Sequence, residues 1–189
     1  MVMGRVIQFE ERAVATLRDK LGAAESARAD LLAFARGHTG AVASIHHAVI
    51  AALEADSFDA LVAVVTNDWP VLLGLDSVAV ALVVGRQGFR LDSGGIEHLE
   101  PALIERALSS IDDVALRKVG RGHPLFGDAA ETIRAEALVG LEGEGPYPYG
   151  LLLLGQVGDT PMPSNEGAQL LQFLGAALGA MLRRWAKTG

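Results

Sequence analysis

The sequence contains no cysteine. That absence excludes disulfides, a thiol nucleophile, Cys-ligated zinc, iron–sulfur clusters and a thioether-linked chromophore. Aromatic residues are scarce, at 5%, while half of the chain is hydrophobic. The core must therefore be built from Ala, Leu and Val side chains. Positive charge is also short: 16 Lys and Arg stand against 23 Asp and Glu, for a net charge of −7. The densest basic runs are only the pairs Arg117-Lys118 and Arg183-Arg184. Such a surface repels a phosphate backbone, so direct nucleic-acid binding is not expected. Long apolar runs are missing too. Val78 to Val84 is far shorter than a membrane span, and the opening MVMGRVIQFEERAV has no apolar signal-peptide core. These readings lead to the expectation of a soluble, cytoplasmic domain with an accessory segment.

What is present starts with a long helical pattern. From about Phe9 to Leu53, apolar residues recur at three- and four-residue steps: Val14, Leu17, Leu21, Ala24, Leu31, Ala35, Val42, Ile45, Val49 and Ala52. Arg28 and His38 interrupt the seam. A stripe this long is coiled-coil-like. Gly37 and Gly40 each cost about 1 kcal/mol of helix propensity, so a kink or break is expected between them. Asp56-Ser57 reads as a cap for a helix from Phe58 to Trp69, with Pro70 at its frayed end.

The pattern then changes to strands. Ser77 to Val84 is valine-rich and apolar on both faces, as a central strand would be. Gly85 to Gly88 is a turn into Phe89-Arg90-Leu91, and Asp92 to Gly95 reads as a loop. Pro101 opens a short helix, Val114 to Val119 is a short strand, and Ile133 to Leu141 alternates. There, Ala135, Ala137, Val139 and Leu141 share one face, with Arg134, Glu136 and Leu138 on the other. Tyr149 to Gln156 is a second two-sided strand. Pro161 and Pro163 break the chain before a last helix, capped by Ser164 or Asn165, that carries Leu170, Leu171, Leu174, Leu178 and Met181. Residues 1–54 thus read as a helical dimerisation segment and residues 55–189 as an α+β domain, an antiparallel sheet with helices packed against it.

Helix, strand pair, irregular crossing segment, strand pair and final helix is an order similar to that of GAF and PAS sensor folds, and closer to GAF. Three stretches carry a more specific resemblance: ARGHTGAVASIHHAVIAALEADSFDALV, HPLFGDAAETIRAEALVGL and YGLLLLGQVGDTPMPSNEGAQLLQFLGAALGAMLRRW. Together they resemble the uncharacterised bacterial domain-of-unknown-function family four-eight-four. Gly155-Gln156 stands where that family's pattern has Gly-Ser, and Met162-Pro163 where it has an aromatic. The resemblance implies a GAF-like domain with an N-terminal dimerising helix, and no catalytic residue. It also implies a gene neighbourhood that often includes a tyrosine recombinase. Cyclic-nucleotide GAF domains carry a dispersed Asn-Lys-Phe-Asp-Glu signature that has no counterpart here.

Five residues stand out as ligand contacts: Arg90, Arg117, His123, Phe126 and Arg134. The segment His123-Pro124-Leu125-Phe126-Gly127 could border a pocket between the sheet and the crossing segment, where GAF-like folds usually bind ligands. His123 would then donate to an anion beside Arg117 and Arg121. The same five residues also make a turn, with Pro124 fixing φ, Phe126 plugging the sheet edge and Asp128 capping a helical turn. Arg90 and Arg134 lie between apolar neighbours and need partners, Glu97 or Glu136 within the protein or a ligand outside it. His38 and His46 are about two helical turns apart, too far to share an ion, so no metal site and no cofactor are expected. His38 on the helical seam would make a pH-sensitive dimer contact.

No Gly-x-Ser-x-Gly elbow or phosphate-binding glycine loop is present in the sequence. Ser109-Ser110-Ile111-Asp112-Asp113 has no histidine beside it. The functional expectation is a non-catalytic, GAF-like sensory or regulatory domain. It would be a homodimer through its N- and C-terminal helices, binding a small molecule or a protein. The alternatives are an interaction adaptor without a pocket, and, third, an enzyme on a GAF scaffold.

Overall fold

In the computed structural model, which describes residues 4–143, 145–158 and 165–186, the first element is helix α1, Gly4–Leu53. Its backbone is helical through Gly37 and Gly40, so the expected break is not there. The remaining hydrogen bonds of a long helix hold two glycines at roughly 1 kcal/mol each. Packing divides the chain at that point, into Met1–Gly40 and Ala41–Gly189. The first unit is helical, and its described apolar residues Val14, Leu17, Leu21 and Leu31 are exposed. The second includes the last turns of α1, because Ile45, Ala48 and Ala52 are buried in its core. The expected boundary at residues 54 and 55 follows the end of the helix; packing places the division earlier. The side chain of His38 and the segment with Pro161, Met162, Pro163 and Ser164 lie outside the described residues.

Ser57 caps α2 (Phe58–Ala63), its hydroxyl accepting from Ala60 N–H at 3.1 Å. The helical path does not stop at Trp69. A π-helical turn, Val64–Asp68, leads into α3, Trp69–Leu73, with Pro70 in its first turn. Trp69 N–H donates to Val64 O, the wider π spacing. A local change of spacing of this kind lets a helix continue past a residue that has no N–H to give. The run ends at Gly74, where Leu75 N–H donates to Pro70 O at 2.8 Å.

The sheet has six strands: β1 (Ser77–Val84), β2 (Gln87–Asp92), β3 (Gly95–Leu99), β4 (Val114–Lys118), β5 (Ala135–Leu141) and β6 (Tyr149–Gln156). Their order is β3-β2-β1-β6-β5-β4, with every neighbouring pair antiparallel. The valine- and leucine-rich β1 and β6 are central, as their two-sided apolar sequences require. β3 was not anticipated. The loop before it is a tight turn in which Asp92 Oδ1 accepts from Gly94 N–H, and Ile96–Leu99 returns beside β2.

Each face of the sheet has its own core. On one, Val80, Leu91, Val139, Leu152 and Leu154 meet the end of α1, α2, Trp69 and α5 (Asn165–Ala186). Trp69 is fully buried and its Nε1 donates to Ala48 O at 2.9 Å, which joins α3 to α1. On the other, Ala79, Ala81, Leu138, Leu151 and Leu153 meet α4 (Pro101–Ser109) and a 3-10 segment, Pro124–Glu131. This is an α+β fold with helices on an antiparallel sheet, as the sequence pattern predicts. No helix among the described residues is long and apolar enough to cross a membrane.

Candidate functional site

Strand alternation fixes where the charged residues go. Ala135 and Ala137 face α5, so Glu136 projects to the opposite face, under the 3-10 segment. There its carboxylate is 4% exposed, one of two buried polar residues among those described. Oε2 accepts from His123 N–H at 2.7 Å, and Oε1 pairs with Arg117 Nη2 at 3.1 Å. Arg117 sits directly across from Glu136 in the β4–β5 register. A buried carboxylate is tolerable only with such partners. Its effect is to fasten the start of the crossing segment to the sheet.

His123 caps that segment in place of Asp128: its Nδ1 accepts from Leu125 N–H at 3.2 Å. Nδ1 must therefore be unprotonated, leaving the ring proton on Nε2. Burial pushes the imidazole below its ordinary titration range; the Glu136 charge opposes this and the Arg117 charge adds to it. Phe126, 2% exposed, drives into the second core, and Gly127 follows with φ +62. That backbone favours glycine, and an added Cβ would strike the Arg90 guanidinium. Arg90 is held in turn by Asp92, at 2.9 Å, and by Glu97.

Four of the five residues singled out from the sequence thus gather around the crossing segment, but as fasteners and filling. Arg90 has the partner Glu97 expected for it. Arg134 lies apart and exposed, its Nη1 donating to the carbonyls of Glu131 and Ile133 at 2.9 Å, because β5 begins only at Ala135. The space between sheet and crossing segment is occupied. A Cβ on Gly155 would lie 2.6 Å from Ile133 Cδ1 and 3.1 Å from Phe126 Cε1, so these side chains rest on bare backbone. His123 lines a cleft of about 340 Å³ shared with Leu103, Arg106 and Ser110.

Of two other depressions, one is larger and one is lined mostly by apolar residues. The larger, of about 740 Å³, lies beside Asp112, Asp113, Tyr149 and Arg183; in it Gln172 pairs with Asp113 and Arg183 with Glu142 O, both at 2.9 Å. The other, about 290 Å³, lies on the α5 side of the sheet. Ala41, Ser44 and Ile45 of α1, Leu170 and Leu171 of α5, and Ala135, Leu154 and Gln156 of the sheet line it. Its polar residues were not read as a site from the sequence. The available signal was Gln156, the position where this chain departs from the Gly-Ser pattern.

The comparisons with known proteins agree with this architecture. None of the curated proteins matches. Among solved structures, the GAF domain of a phosphoenolpyruvate-protein phosphotransferase from Coxiella burnetii is similar over 80% of this chain and 98% of its own, at 11% identity and a TM-score of 0.58. A bacteriophytochrome from R. palustris is similar over 77% of this chain, at 14% identity and a TM-score of 0.56. The chromophore-binding domain of Stigmatella aurantiaca phytochrome P1 is similar over 74%, at 16% identity and a TM-score of 0.51. The chain spans 38% and 58% of those two phytochrome structures. At such identities these likenesses speak for the fold alone, which is GAF-like. The family described as Protein of unknown function, DUF484, matches residues 2–187, and the chain belongs to it.

Proposed function

We propose that this chain is a non-catalytic regulatory domain that works as a homodimer, joined along α1 and α5, and converts binding on the GAF-like unit into a shift of those helices. The observation that carries the reading is the seam of α1. Val14, Leu17, Leu21 and Leu31 are 45–69% exposed in the single chain, at the three- and four-residue spacing of a coiled coil. Apolar side chains repeated in that way have a partner helix as their natural cover. On α5, within the sheet unit, Phe173 is 49% exposed and offers an apolar contact of its own. The non-catalytic part is supported by how His123 is used, its Nδ1 committed to a cap.

Sedimentation of the full chain tests this. A dimer is expected at micromolar concentration, and the double variant Leu17→Glu, Leu21→Glu should sediment as a monomer with an unchanged thermal midpoint of the sheet unit. A wild-type monomer would end the homodimer reading and leave the adaptor alternative, in which the seam of α1 belongs to another protein.

A further inference from the structure

We propose that the 290 Å³ cleft beside α1 is a binding site for a small apolar molecule with one hydrogen-bond donor, read by Gln156. The proposal deepens the regulatory reading and rests on it for its meaning, though its binding test does not.

The size sets the scale of the ligand. At about 30 Å³ per non-hydrogen atom, the volume per molecule in liquid water, the cleft holds roughly ten such atoms. The walls set its polarity. Leu73, Leu75, Leu116, Leu170 and Leu171 line the cleft and are each only partly buried, so they have apolar surface left to cover. Glu136 lines the cleft between Ala135 and Ala137, but its carboxylate is turned to His123 N–H and Arg117 under the crossing segment.

Gln156 supplies the direction. It lies on β6 two residues after Leu154, so it shares that residue's face and stands at the cleft wall. Its Nε2 donates to Gly74 O at 3.1 Å, which fixes the amide and leaves Oε1 as an acceptor with no partner among the described residues. An acceptor held still beside apolar walls selects for an N–H or O–H on an otherwise apolar body. A pocket with few, placed polar groups on apolar walls is the common form of a small-molecule site.

The location gives the site a consequence. Ala41, Ser44 and Ile45 belong to the first turns of α1 within the sheet unit. A molecule in the cleft touches α1 directly and favours whichever helix position covers it best, and by linkage it can shift α1 only by that preference.

Indole, with nine non-hydrogen atoms and one N–H, is a suitable probe, and 1-methylindole lacks the donor. Calorimetric titration of the full chain should show saturable binding of indole and about tenfold weaker binding of 1-methylindole. Gln156→Leu should bind the two probes equally, and Ala135→Leu, which fills the floor, should bind neither. Hydrogen exchange at Ala41 to Val49 should slow in the presence of indole. No saturable indole binding, equal binding of both probes by the wild type, or binding that survives Ala135→Leu would overturn the site. Sedimentation of the same samples keeps the two readings apart: a dimer that ignores indole removes the ligand and leaves the dimer, while a monomer that binds indole does the reverse.

Discussion

On one face of the sheet, Val80, Val139 and Leu152 meet helices through aliphatic side chains and one tryptophan, and a cleft stays open between them. On the other, Phe126 and Ile133 rest on Gly155, and a buried carboxylate holds the crossing segment from below. The difference follows from what each face is covered by. Helices satisfy their own backbone and can settle against a sheet by side-chain packing, leaving gaps where ridges do not meet. A short 3-10 segment broken at Gly127 has poorer internal hydrogen bonds. It stays in place because side chains from the sheet reach up to it: Glu136 at one end, Arg90 at Gly127. The face under the crossing segment is thus the filled, fastened one, and the face that touches α1 is the one that keeps a cleft.

The largest test of this contrast is Phe126→Ala. Removing a fully buried aromatic from the fastened face should cost about 3–5 kcal/mol in denaturant unfolding. A loss below about 1 kcal/mol would mean that the crossing segment can collapse into the space, and that the two faces are equally soft. Next comes Glu136→Gln, which keeps an acceptor for His123 N–H but removes the charge facing Arg117. A loss of about 1–3 kcal/mol is expected. Arg117→Ala should cost no less, about 1–3 kcal/mol, because it leaves the Glu136 carboxylate, 2% exposed, without its cation. A loss below about 1 kcal/mol would show that Glu136 acts through the crossing segment and not through the arginine.

On the open face the sign reverses. Ala135→Leu should stabilise the protein by about 0.5–2 kcal/mol, since it adds apolar contact where there is room. Destabilisation would show that the cleft has no space for a larger floor and would bring the two faces back together.

Much of this was legible in the sequence, and for identifiable reasons. Strand alternation gave β5 its correct faces, and two-sided runs gave β1 and β6 their central places. The helical seam was legible, but the break expected at Gly37 and Gly40 is absent, because glycine propensity is too weak a term to interrupt a long helix. β3 was missed because IEHL is short and the turn before it reads as loop when Asp92 is not credited with holding Gly94 N–H. Pro70 was read as a stop because a π-helical turn has no composition signal. The charged residues were the least legible. Arg117, His123 and Phe126 were rightly placed near the crossing segment, but that Glu136 would join the first two depends on the β4–β5 register. The cleft draws on residues from α1, β6 and α5 that only the fold brings together.

The smallest test concerns the cap on the fastened face. Burial lowers the His123 pKa from 6.5, against the pull of Glu136 and with that of Arg117. Well above pH 6.5 the imidazole is neutral in both folded and unfolded chains and contributes no pH dependence. As the pH falls below 6.5, the unfolded chain takes up its proton first, so stability declines until the folded imidazole is protonated as well. Protonation also converts Nδ1 from acceptor to donor and removes the cap on Leu125 N–H. His123→Asn offers an amide oxygen for the same cap and does not titrate. Unfolding curves of wild type and variant should therefore run together well above pH 6.5 and separate below it, with the wild type losing stability faster. Curves that stay parallel would place the His123 ring in water, and the fastened face would then depend on the carboxylate and Phe126 without a titrating cap.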